Sequence, residues 1–241
     1  MYMKVDRKFK FSNAEMLAYY PTQEDWRRHV RKREVEFLLA ALGDCQFERA
    51  LELGSGDGTQ AVLLADRCKQ LTCSDIVRER WELLPKKELP NNISYIKLDA
   101  ADLSQFPDNT FDLVYSSNLL EHIEDVDRCI REIFRVTKSS GIGVHTMPSR
   151  YWKFFNSLYR TIKLKRSKIH GVESTNWDEF ISFGVKTWIN KFDKAGFETK
   201  SILGMPFYFG FGLRWKLLIV AGNWLRFPSS HTLIVQPKKS A

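Results

Sequence analysis

The stretch that decides the fold is RALELGSGDGTQAVLLADRC, Arg49 to Cys68. A short, mostly apolar run ends at Leu53 and carries Glu52 within it. Gly54, Gly56 and Gly58 follow at alternate positions, and an apolar segment with helical spacing comes next. Glycine loses the most conformational freedom on folding, so three in five positions imply a backbone that turns sharply or approaches something closely. Such a turn between strand and helix aims its amides at a bound group. The spacing here is GxGxG, not the GxGxxG of dinucleotide sites, and the lysine of a phosphate loop is missing. Glu52 and Asp57 would repel a pyrophosphate. The expected ligand therefore lacks polyphosphate and carries positive charge.

Working outward, the chain alternates apolar runs with helical patterns. Residues 22–42 read as a helix with Thr22 as N-cap and Gly43 past its end. ERALEL, QLTCSD, NISYIKLD, TFDLVYSS and IGVHTM read as five strands. DGTQAVLLADRC and VDRCIREIFRVTK read as helices, the second closed by SSG. This alternation predicts a parallel sheet built from right-handed crossovers. Ligands of such sheets bind at the carboxyl ends of the strands. The glycine loop, Asp75, Asp99 and Ser116 to Asn118 all fall at those ends.

After Pro148 the pattern changes. SRYWKFFNSLYRTIKLKR is aromatic and basic, with Tyr151, Phe155, Leu158 and Ile162 on one helical face and Lys153, Arg160 and Lys163 elsewhere. NWDEFISFGVKTWINKFDKAGF reads as one helix closed by Gly196. FETKSIL and HTLIVQ complete the strands, with a long aromatic insert between them. The expected organisation is a single domain over 1–241: an N-terminal helical segment (1–48), a cofactor-binding half (49–147), and a substrate cap with closing strands (148–241).

The 241 residues are 44% hydrophobic and 27% charged, an ordinary composition for a folded domain with a sizeable core. The N-terminal stretch lacks an apolar signal region. Arg214 and Lys216 split the greasiest segment, Ile202 to Leu225, into pieces too short to span a membrane. A cytoplasmic protein is expected, with peripheral contact at the inner membrane surface as a further reading. Cys45, Cys68, Cys73 and Cys129 form no CxxC pair, and no Cys/His cluster has zinc-like spacing, so no metal is expected. The net charge of +8 is dense in RRHVRKR (27–33) and KLKRSK (163–168), runs that usually form solvated faces.

An acidic side chain after the second strand, Asp75, can accept hydrogen bonds from ribose hydroxyls. A carboxylate after the third, Asp99, can accept from an exocyclic amine. An adenosine with a cationic tail and no phosphate, S-adenosylmethionine, meets these demands. In order and spacing, LELGSGDGT, CSDI, KLDAADL, FDLVYSSNLLEHIED and REIFRVTKSSG resemble the signature segments of class I S-adenosylmethionine-dependent methyltransferases, of the small-molecule type with LEH after strand four. The resemblance runs from about residue 35 to 147, then weakly through WINKFDKAGF to the end. It implies a Rossmann-like α/β fold: a seven-stranded, mostly parallel sheet with the last strand antiparallel, helices on both faces, and a helical, aromatic cap.

Carried over by position, Glu52, Gly54, Ser55, Gly56 and Gly58 would shape the methionine site. Asp75 and Ile76 would hold ribose and flank adenine, Asp99 and Ala100 would meet the adenine edge, and Ser116 and Asn118 would lie under the sulfonium. KSSG stands where the family has KPGG, which puts a turn in question. If the acceptor is a hydroxyl, a general base helps. The candidates are His122, on the cofactor side after strand four; His170, in the cap loop KIHGVEST; and His145, inside strand five. The leading expectation is O-methylation of a sugar or other small molecule, lipid- or nucleotide-linked. The alternatives are a quinone or lipid acceptor, and an RNA methyltransferase or basic RNA-binding module. The oligomeric state is left open.

Overall fold

The computed structural model of the chain describes residues 20–77, 89–162, 168–205 and 227–238. The insert 206–226, most of the basic run 163–168, and the first 19 residues lie outside them.

Seven strands form one sheet: β1 (Phe47–Leu53), β2 (Cys68–Asp75), β3 (Ile93–Lys97), β4 (Phe111–Ser117), β5 (Thr137–Pro148), β6 (Phe197–Gly204) and β7 (Ser230–Pro237). Their order is β3-β2-β1-β4-β5-β7-β6. The first five pair in parallel, and β7 runs antiparallel between β5 and β6. This is the expected fold class. The order reverses between β1 and β4, which opens a crevice above their carboxyl ends.

Among the described residues the helices are α1 (Gln23–Leu42), α2 (Thr59–Ala65), α3 (Val126–Val136), α4 (Arg150–Ile162), α5 (Asn176–Ser182) and α6 (Val185–Lys194). Thr22 and Asp25 close α1 with the reciprocal side-chain bonds of a capping box. Alternation along the strands feeds two cores. Leu51, Leu53 and Val114 pack with Ile130, Ile133, Trp188 and Phe192 of α3 and α6. Ala50, Leu71, Leu113 and Tyr115 pack with Leu38, Ala61 and Leu64 of α1 and α2.

Two local expectations need correction. KSSG makes no turn: it lies inside β5, where the register shifts between Phe111↔Thr137 and Leu113↔Ile142. Extra residues on one strand of a ladder make a bulge. Gly141 belongs there because a Cβ would lie 3.0 Å from the Phe111 carbonyl oxygen. The second correction is the helix from Asn176 to Gly196, which is two helices. Gly184 adopts an extended conformation between α5 and α6, where a Cβ would stand 3.0 Å from the Ile181 carbonyl oxygen and displace the Arg150 guanidinium.

The basic run of α1 is also largely neutralised. Arg27 pairs with Glu24, Arg31 with Glu34, Arg33 with Glu36, and Arg28 reaches Asp57 at 3.3 Å. Among the described residues no helix is long and apolar enough to cross a membrane.

Candidate active site

The glycine loop takes its shape from three left-handed residues: Gly54, Gly56 and Gly58 have φ of 69°, 55° and 74°. Only glycine enters this region without strain. At Gly54 there is a second reason, since a Cβ would stand 2.8 Å from Leu119 Cδ1. At Gly56 nothing lies within 4 Å of where a Cβ would be, so the loop faces open space. Asp57 turns inward to the chain: its Oδ1 accepts from the Thr59 amide at 3.0 Å, at the start of α2.

Asp75, at the end of β2, braces this loop. Its Oδ2 accepts from Gly56 N and its Oδ1 from Val77 N, each at 2.9 Å. A carboxylate has about four acceptor positions, so capacity remains for a ligand's hydroxyls. Ile76 follows with 61% of its surface exposed, an apolar side chain held out at the crevice. Asp99 is exposed and accepts from the Ala101 amide at 2.9 Å, which caps its turn; Ala100 is buried beside it. Ser55 is buried, and its Oγ lacks a hydrogen-bond partner among the described residues. An open glycine loop, a spare carboxylate, an exposed isoleucine and an orphaned hydroxyl fit the adenosine and methionine portions of S-adenosylmethionine.

Glu52 is buried beneath the loop. Burial pushes its carboxyl up to about 8; the Cys73 thiol, donating at 3.5 Å, works against that, while Asp57 and Asp75 add to it. Ser116 is fully buried, and its hydroxyl lies 2.8 Å from His145 Nδ1. His145 in turn stacks on Phe192 with centroids 4.9 Å apart, and burial holds its pKa down to about 3. That histidine is a core group. Asn118 holds a left-handed backbone at φ 51°, its amide donating to Thr146 O at 2.8 Å.

Asn118 and Leu119 lead from β4 into a 3₁₀ turn, Leu120–His122. Because Leu119 packs on Gly54, this turn sits directly beside the glycine loop. His122 and His170, distant in sequence, meet here with ring centroids 4.8 Å apart. Trp152 packs against His170 at 5.0 Å. The His170 loop is tied down twice. Val172 N donates to Glu121 O at 3.2 Å, and Glu179 Oε1 accepts from the amides of His170 and Gly171. Glu179 is itself paired with Lys153 inside the protein. Lys153 also donates to Asn176 Oδ1 and to the Lys168 carbonyl.

Three residues here were not read from the sequence as part of the site: Glu121, Glu179, and Lys153, which was placed off the apolar helical face but is buried. Glu121 is the middle letter of LEH, yet it is the buried member, with a side chain 1% exposed against 42% for His122. The signal for Lys153 and Glu179 was present but faint, a charge inside each of two aromatic helices, YWKFF and NWDEF.

Residues 51–144 match a family model described as a methyltransferase domain. Nodulation protein S of Rhizobium tropici is 28% identical over 125 residues, 52% of this chain and 52% of that protein. A ubiquinone/menaquinone biosynthesis C-methyltransferase of Desulfotalea psychrophila is 31% identical over 118 residues, 48% of this chain and 44% of its own. The chain spans about half the length of the curated relatives it matches. An S-adenosylmethionine dependent methyltransferase from Mesorhizobium loti has a similar crystal structure: the TM-score is 0.58 over 83% of this chain and 95% of that one. At 17% identity, that likeness speaks for the fold. Over residues 51–144 the chain is thus similar to a methyltransferase domain, and the sheet order and the glycine loop around that stretch agree with the fold of S-adenosylmethionine-dependent methyltransferases.

Proposed function

We propose that the protein transfers a methyl group from S-adenosylmethionine to a hydroxyl of a small-molecule acceptor, a sugar above all. The observation that carries the transfer is the shared edge: the glycine loop, Asp75, Ala100 and Asn118 all stand at the carboxyl ends of neighbouring parallel strands. Bound S-adenosylmethionine supplies a methyl group already activated on a sulfonium. The chain's own work is alignment and exclusion of water, and positioning of this kind can contribute roughly 7–11 kcal/mol. The acceptor would enter between the glycine loop and the His122–His170 pair. A hydroxyl loses a proton on methylation, and this polar cluster beside the crevice assists its ionisation.

A lipid or quinone acceptor is the second reading. It is favoured by α4, whose Leu158 and Ile162 are 44% and 69% exposed while Lys153 is buried. An apolar stripe facing outward on the cap suits an amphiphilic substrate or contact with a membrane surface.

Titration calorimetry with S-adenosylhomocysteine tests the cofactor site, and silence there removes the reading. Transfer of labelled methyl into fractionated cell extract tests the acceptor. Label in water-soluble glycans or nucleotide sugars supports the first reading. Label in the organic phase supports the second, and label in RNA overturns both.

A further inference from the structure

We propose that Glu121, His122 and His170 form a binding site for a first-row divalent cation at the mouth of the cofactor crevice. This rests on the methyl-transfer reading and specifies how the acceptor hydroxyl is ionised. The three ligand atoms lie within 4.8 Å of one another. Glu121 Oε1 stands 3.9 Å from Nε2 of His122 and 3.9 Å from Nε2 of His170, so both rings converge on one carboxylate oxygen.

The independent observation is Glu121 itself. It is 95% buried by its 5% exposure, and neither oxygen has a hydrogen-bond partner among the other described residues. A buried carboxylate without partners is costly, and coordination to a metal is one of the few arrangements that offsets the cost. Arg31 contributes positive potential nearby, but its guanidinium is paired with Glu34 at 2.7 Å.

Two imidazoles and one carboxylate suit Mn²⁺, Fe²⁺, Co²⁺ or Zn²⁺ better than Ca²⁺ or Mg²⁺. Ligands about 2.1 Å from a shared ion stand roughly 3–3.5 Å apart, so inward swings of less than about 1 Å complete the site. Both imidazoles are partly exposed, 42% and 37%, which leaves a path from solvent and room for further ligands. The loop carrying His170 is fixed by the Glu179 carboxylate and by the Val172–Glu121 hydrogen bond, so the ligands are held before the ion arrives. An acceptor hydroxyl that takes an open position gives its proton to water and stays as a coordinated alkoxide beside the crevice.

The test is a titration with Co²⁺ alone, using untagged protein stripped with chelator. A Cys45→Ser background removes the exposed thiol as a competing ligand. The expected result is one equivalent bound with a visible d–d absorbance. Glu121→Gln and His170→Asn should each weaken binding at least about tenfold, while binding of S-adenosylhomocysteine stays within about twofold. That retained binding shows that the variants are folded. No stoichiometric Co²⁺ site, or equal binding by the variants, overturns the cation site and leaves the methyl-transfer reading standing if S-adenosylhomocysteine still binds. The reverse outcome, Co²⁺ bound without the nucleoside, overturns that reading instead.

Discussion

Lys153 and Glu179 face each other as an ion pair sealed inside the cap, with side chains 2% and 0% exposed. The pair links α4 to α5, and the far oxygen of Glu179 holds the amides of His170 and Gly171. Removing one partner leaves the other charged and buried, which costs about 3–5 kcal/mol. Lys153→Met and Glu179→Gln are therefore each expected to lower the melting temperature by several degrees. The double variant Lys153→Met/Glu179→Leu should recover much of that loss, because no lone charge remains. It should not recover methyl transfer, since His170 then lacks its anchor. Melting curves and turnover measured on the same samples check this; recovery of both together would show that the pair only stabilises.

Gly54 and Gly56 separate two reasons for glycine. Gly54→Ala meets both the left-handed backbone and Leu119. Gly56→Ala meets the backbone term alone, about 1–2 kcal/mol. The first should cost clearly more stability. The second should fold well yet bind S-adenosylhomocysteine weakly, because its methyl projects into the open face of the loop. Calorimetry and thermal melts distinguish the two; tight binding by Gly56→Ala would place the ligand elsewhere.

Asp75 braces the loop, and under the proposed function it also holds the ligand. Asp75→Ala removes the acceptor for Gly56 N and Val77 N as well as the carboxylate proposed to hold ribose. Hydrogen bonds to a charged group contribute about 1.5–3 kcal/mol each, so affinity for S-adenosylhomocysteine should fall by at least about tenfold. Asp75→Asn keeps one carbonyl acceptor and should fall between wild type and alanine. Equal affinities across the three proteins would remove Asp75 from the site.

Glu52 makes stability depend on pH. Burial raises its folded pKa to about 8 from an unfolded value near 4.5. A group raised in this way contributes fully below about pH 4.5 and loses that contribution as pH climbs through about 8. Glu52→Gln, which cannot ionise, should therefore gain stability over the wild type steadily between about pH 5 and 8. Denaturation of both proteins across that range checks the sign, and a constant difference would mean that Glu52 is already charged at neutral pH.

The sheet was legible because its strands are short apolar runs ended by glycine, aspartate or asparagine. Phe47–Leu53 and Phe111–Ser117 read correctly on that basis alone. KSSG misled because glycine and serine mark turns in sequence, whereas here they fill a bulge within a ladder. Gly184 misled for the opposite reason: one glycine inside a helical pattern is ordinarily tolerated. The glycine loop was readable from spacing, since its residues are neighbours in the chain. The cluster at the crevice mouth was only half readable. His122 and His170 were named separately, but the contact between them depends on a buried lysine and glutamate that no local pattern reports.

The insertion of β7 between β5 and β6 has a consequence for assembly. The seventh strand to be synthesised fills an interior place in the sheet, so β5 and β6 cannot be bridged until it has emerged. Until then two open ladders await a partner, and such edges invite pairing with other chains. Cuts just before Ser230 should thus yield aggregates, not a weakened enzyme, and pairings this remote in sequence predict slow maturation of the whole domain.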